Sequence, residues 1–143
     1  VVPVKKDGKL VTSIQFGEYG EEVLRNMRRS ISLFQDSGIN VIIDDLLFKP
    51  FYLDDYVSVL DPNRTWFIGV KCSLEVVKAR EAQRPGRFPG TATSHYEQVH
   101  EHGESYDLEV DTSVTSERQV AKQIIERLSQ APEAFLKIKA ARS

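Results

Sequence analysis

Asp44 and Asp45 stand side by side in the run "NVIIDDLLFKP" (40–50), where strand-like apolar chain meets two carboxylates and then resumes. Charge set against a buried strand is costly unless it is hydrated, paired or given a cation. Side chains alternate along a strand, so the two aspartates are not expected to point the same way. One should face a cation or substrate while the other caps the helix that follows. An acidic residue ending a buried strand is a way to hold Mg2+, often through water. Equally, both aspartates could simply cap a helix beginning near Pro50.

Arg80, Arg84 and Arg87 are the second constellation. Arg80 and Arg84 are four apart and share a helix face. Arg87 follows in "RPGRFPGTATS" (84–94), whose prolines and glycines predict a loop or mobile cap. Guanidinium forks match phosphate oxygens, and a loop of arginines closing over a transferring phosphoryl group would stabilise its developing charge. The alternative is a solvated helix face with Glu81 neutralising one arginine. His95, His100 and His102 lack the spacing of a zinc site, and Cys72 reads as a buried strand residue. The aromatics Phe48, Phe51, Tyr52, Tyr56 and Trp66 read mostly as core, with those near 48–56 able to line an apolar pocket beside the aspartates.

The elements that must position these groups alternate. Residues 1–16 read as a loop or short hairpin. Residues 18–37 read as a helix with Val23, Leu24, Met27, Ile31 and Phe34 as its stripe, stopped by Gly38. A doubly buried strand is expected over 39–45 and a helix over 51–60, broken by Asp61, Pro62 and Asn63. A second doubly buried strand (65–72) leads to a helix capped by Ser73, with Val76 and Val77 inward. A short helix is expected near 95–103, a strand at 106–112, and an amphipathic helix at 115–129 with Val120, Ile124, Ile125 and Leu128 on its inner side. Residues 130–143 read as a fraying tail or a further helical turn. This order predicts an α/β fold, a three-layer parallel sheet with helices on both faces. Ligands then bind beyond the carboxyl ends of the strands, which places Asp44 and Asp45, Cys72 and Ser73, and Asp111 and Thr112 along one rim.

The chain has 143 residues, 41% hydrophobic and 28% charged, with 19 basic and 21 acidic side chains. That suits one globular domain over 1–143 and provides no electrostatic footprint for nucleic acid or an anionic membrane. No apolar run approaches the roughly 20 residues of a membrane span. A single cysteine and an N-terminus without a signal-peptide hydrophobic region lead us to expect a cytoplasmic location. The oligomeric state is not legible.

Taken together, "GINVIIDDLLF", "WFIGVKCSLEVVKAREAQRPGR" and "VHEHGESYDLEVDTS" resemble the chloramphenicol phosphotransferase family, over roughly residues 18–129. The resemblance implies a P-loop NTPase/kinase-like fold that transfers the γ-phosphate of ATP to a small-molecule hydroxyl with Mg2+; the namesake enzyme inactivates an antibiotic. It implies that Asp44 lies near Mg2+-ATP, holding the metal through water, and that Asp45, beside Phe48, edges the acceptor pocket. Arg80, Arg84 and Arg87 match the arginine-bearing helix and lid (84–94), and Asp111 and Thr112 match the strand end near the adenine. The family's G-x-x-x-x-G-K-[ST] loop and the aspartate proposed as its catalytic base are absent from the sequence. We therefore expect the C-terminal two-thirds of the fold, a fragment lacking the first strand and phosphate loop, with its activity resting on the complete protein. A non-catalytic remnant serving as a binding module, and a nucleotide or sugar kinase of the same fold, are the rival readings.

Overall fold

The computed structural model describes residues 2–6, 8–86, 88 and 90–142. At the N-terminus β1 (Val2–Lys6) and β2 (Lys9–Ser13) form an antiparallel hairpin in which Val4 pairs with Val11. Its turn contains Gly8 at φ 75°, a left-handed conformation that glycine adopts without a Cβ clash.

Helix α1 (Glu18–Asp36) ends where the glycine predicts. Gly38 N–H bonds the Gln35 carbonyl and Ile39 N–H bonds that of Phe34, the paired pattern that satisfies the last carbonyls of a helix. The inner face, however, is turned from the expected stripe. Val23, Met27 and Phe34 are about half exposed, whereas Arg28 is 1% exposed, between half-buried Leu24 and Ile31. The cause is helix α2 (Pro50–Val59). Arg28 donates to Asp55 from Nε (3.0 Å) and Nη2 (2.8 Å), and its guanidinium lies 4.0 Å from the Tyr52 ring centre. Burial of a charge is tolerated here because it is paired and stacked.

The expected strand 39–45 does not form: residues 39–48 adopt no regular structure. Ile42 is 97% exposed, and Ile39 and Val41 are also exposed. An apolar run becomes a strand only when a neighbour completes its ladder and layers cover its faces. Among the described residues neither sheet pairs with this segment.

Asp61 accepts from the Asn63 N–H and closes a 3-10 turn at Pro62–Arg64. Strand β3 (Ile68–Lys71) then pairs in parallel with β4 (Leu108–Asp111), Val70 opposite Val110. The 65–72 strand is thus shorter than expected and is not buried on both faces, since Val70 is 54% exposed. Between the strands lie α3 (Leu74–Ala82), capped by the Ser73 hydroxyl, and α4 (Thr91–His95). The helix expected near 95–103 begins earlier and continues only as a 3-10 turn at Gln98–His100. Helix α5 (Glu117–Arg127) opens with a capping box of Ser116 and Gln119; Val120 and Ile124 face inward, but Ile125 and Leu128 are exposed.

The C-terminal residues are no fraying tail. Helix α6 (Ala134–Ala141) buries Ala134, and its Phe135 and Ile138 join one cluster with Leu47, Leu53, Tyr56 and Val57. Asp107, its side chain inaccessible, anchors this helix by accepting from the Glu133 and Ala134 N–H groups, from Arg127 and from the Phe67 N–H. Among the described residues the architecture is α/β with two small two-stranded sheets, and the three-layer parallel sheet predicted from the order of elements is not formed by them. Among the described residues no helix is long and apolar enough to cross a membrane.

Candidate functional site

The parallel strands end side by side. Thr112 donates from its N–H and its hydroxyl to the Lys71 carbonyl (2.9 and 3.1 Å), and the Ser113 hydroxyl accepts from the Ser73 N–H (2.6 Å). Onto this junction α3 projects Arg80, which donates to the Thr112 carbonyl (2.7 Å) and hydroxyl (3.0 Å). A cleft of ≈ 630 Å³ opens beside it, lined by Arg80, Arg84, Thr112 and the start of α5 from Thr115 to Arg118.

Three guanidinium groups and the amino end of an 11-residue helix thus share one opening with a single carboxylate, Glu117. Among the described residues none of these arginines is ion-paired. Glu81, expected to neutralise one of them, accepts instead from the Gly90 and Ala92 N–H groups. Three like charges against one carboxylate leave a net positive opening that attracts an anion, and guanidinium forks, hydroxyls and a helix N-terminus are donors for phosphate oxygens. This donor set fits the phosphate groups of a nucleotide. Arg118 and Ser116 did not stand out in the sequence. The available signal was the hydroxyl-rich run "TSVTS" between the third strand and an arginine-bearing helix start.

The structure brings Arg80, Arg84 and Thr112 together and distributes the other expected site residues elsewhere. Asp111 ends β4, where its Oδ1 accepts from the Ser113 N–H (2.7 Å); hydrogen bonds from Ser113 hold its carboxyl below the usual range. Asp44 is exposed in the irregular segment. Asp45 accepts from its neighbour Leu46 N–H (2.8 Å) and from the Tyr56 hydroxyl (2.7 Å), whose ionisation is pushed up by burial and by that carboxylate. Neither aspartate caps α2, which starts at Lys49 without a side-chain cap. Phe48 packs against the hydrophobic cluster and against the His95 ring, 4.5 Å between centres. Arg87 lies outside the described residues. No three His, Cys, Asp or Glu side chains among the described residues form a metal-binding group. Asp44 would be the accessible carboxylate available to a hydrated Mg2+.

The histidines serve hydrogen bonds. Buried His95 accepts at Nε2 from the Ile14 N–H (2.8 Å), which leaves Nδ1 to donate to Gln98 Oε1 (2.9 Å). His102 accepts at Nδ1 from the Glu104 N–H (3.1 Å) and so donates from Nε2 to the Tyr106 oxygen (2.7 Å). Tyr106 in turn donates to His100 Nδ1 (2.5 Å). Burial favours the neutral form of all three: it lowers both histidines from their ordinary 6.5 and pushes Tyr106 up to about 12. The Tyr106 ring lies so close to Gly69 that a Cβ there would sit 2.7 Å from it.

A cleft at the carboxyl ends of parallel strands is where α/β proteins of the open-sheet class place their ligands. This chain belongs to the chloramphenicol phosphotransferase-like family, whose model matches residues 5–129. Two Mycobacterium tuberculosis proteins, provisionally named O-phosphotransferases MT2714 (strain CDC 1551 / Oshkosh) and Rv2636 (strain ATCC 25618 / H37Rv), are each 30% identical to it over 129 residues. The match covers 90% of this chain and 57% of each relative, so the chain spans little more than half the length of the curated relatives it matches.

Proposed function

We propose that these residues form the arginine-bearing part of an ATP-dependent O-phosphotransferase acting on a hydroxyl of a small molecule. The observation that carries this reading is the cleft lined by Arg80, Arg84 and Arg118 together with Thr112 and the start of α5, where among the described residues none of the three arginines is ion-paired. Bound Mg2+-ATP would supply the phosphoryl donor. In the transfer the acceptor oxygen forms a bond to the γ-phosphorus as the bond to the ADP oxygen breaks, and negative charge spreads over the phosphoryl oxygens. Arg84, Arg118 and, from the 84–94 lid, Arg87 would meet that charge, while Arg80, braced on Thr112, keeps its remaining N–H groups for the nucleotide. Asp111 and Thr112 would sit near the base, Asp44 would hold Mg2+ through water, and Asp45 with Phe48 would border the acceptor.

In the complete protein, residues 39–45 would enter a three-layer parallel sheet beside a strand carrying a phosphate loop. The family match and the bare apolar faces of this segment support that arrangement. The chain would be one domain of a cytoplasmic enzyme. The test is ADP formation from Mg2+-ATP by the purified full-length protein, with chloramphenicol as probe acceptor and water as the default one. Phosphorylated product or ADP at a rate above the protein-free control is expected. Failure to bind Mg2+-ATP by calorimetry would overturn the reading.

A further inference from the structure

Glu81 lies between two cleft arginines in sequence, yet its carboxylate turns away from both. Oε2 accepts from the Gly90 N–H at 3.0 Å and Oε1 from the Ala92 N–H at 2.8 Å. Gly90 starts α4 and has no side-chain oxygen with which to cap it; α3 supplies that cap from nine residues upstream. Gly90 must be glycine, since its φ is 80° and a Cβ would come 3.2 Å from the Val11 backbone. Helix α4 is fastened in turn to the hairpin, with the Ser94 hydroxyl donating to the Thr12 carbonyl and Ile14 N–H donating to His95. At the other end, the Arg84 N–H bonds the Glu81 carbonyl at 3.1 Å. Glu81 thus bonds described residues on both sides, its carboxylate taking Gly90 and Ala92 and its main-chain carbonyl closing the turn at Arg84. Arg84 has no side-chain hydrogen bond among the described residues, so its placement depends on that backbone.

We propose that Glu81 is a positioning residue for the arginine cleft, a latch whose carboxylate holds the start of α4 against α3 and so presents Arg84, at the end of α3, to the transferring phosphoryl group. The latch stands on geometry alone; its effect on transfer rests on the O-phosphotransferase reading. Two convergent N–H donors each need an acceptor oxygen. Glutamine supplies one and aims an NH2 at the other donor; alanine supplies none.

The experiment compares Glu81→Gln, Glu81→Ala, Arg84→Ala and Ser94→Ala in the full-length protein. Amide hydrogen exchange at Gly90 and Ala92 should rise about tenfold or more in Glu81→Ala, and less in Glu81→Gln. ADP formation from Mg2+-ATP should lose about tenfold in kcat in Glu81→Gln with KM for ATP within about twofold, the pattern of a contact made in the transition state. Ser94→Ala loosens α4 but leaves the latch, so its kcat should stay near the parent's. Unchanged exchange in Glu81→Ala overturns the latch. Raised exchange with intact kcat, where Arg84→Ala is impaired, overturns the positioning role and leaves the proposed reaction standing. An equal loss in Ser94→Ala also overturns it, because helix support alone would then explain the effect. If Arg84→Ala is as active as the parent, the positioning role falls together with the arginine-cleft reading.

Discussion

Arg84 is exposed, lines the cleft and among the described residues makes no side-chain hydrogen bond, so its removal should cost the fold little and the reaction much. Arg84→Ala is expected to lower kcat by about 10²-fold, as the loss of one transition-state charge contact does. Steady-state kinetics of the full-length protein check this, and an unchanged kcat would remove Arg84 from the mechanism. Asp107 is the opposite case. It touches nothing in the cleft, yet it accepts four hydrogen bonds that join β3, α5 and α6. Asp107→Ala strands three backbone N–H groups and takes the carboxylate from Arg127, which keeps its bonds to the Asp107, Gln130 and Ala131 carbonyls, so a loss of about 3–5 kcal/mol is expected in urea unfolding. Neither role was legible from composition. An aspartate before a strand looks the same in sequence whether it is solvated or, as here, inaccessible.

At the scale of elements, the two strands depend on the turn that precedes β4. His100, His102 and Tyr106 hold that turn against Phe67 and Gly69 through neutral hydrogen bonds. Lys71, Glu109, Glu104 and Arg142 face the pair electrostatically, and burial is the largest influence on each histidine. Both are less basic folded than unfolded, so below their ordinary 6.5 the unfolded chain binds more protons. Stability contributed by the pair is therefore complete above 6.5 and lost as pH falls toward the folded values. Unfolding midpoints measured at about pH 7.5 and about pH 5.5 should drop on acidification, and a His100→Asn/His102→Gln variant should flatten that slope. The lowered carboxylates Glu21, Asp61, Asp111 and Glu133 do not mask the effect, because their ordinary values of 4.5 and 3.8 place their losses at lower pH. Capping chemistry made two boundaries readable in advance, since Gly38 ends α1 and Ser73 begins α3, whereas the Ser116 cap of α5 emerged only in the structure. Helix α6 was legible only as one of two readings, a further helical turn, because its helix-forming run "AFLKIKAA" is fixed in place by burial against α2.

For the whole molecule, the informative feature is apolar surface without cover. Ile39, Val41, Ile42 and Leu46 are all exposed along one irregular stretch, and Met27 and Phe34 on α1 are half-exposed as well. If this stretch is a central strand in the complete protein, Ile42→Lys there should cost more than about 2 kcal/mol in urea unfolding. A cost under about 0.5 kcal/mol, usual for a solvated position, would remove the central-strand reading. What the sequence determined by itself is local: the hairpin, the helices with their caps, the pairing of arginines four apart, and the family to which they belong. Only the tertiary structure decided which of those groups meet. It placed Arg80, Arg84 and Arg118 at one strand edge, took Glu81 away from them, and buried Arg28 in place of the expected stripe. It also left "NVIIDDLLF" unpaired. The physical reason is that capping and periodicity act within a few residues of chain, whereas charge pairing, burial and strand ladders depend on neighbours distant in sequence.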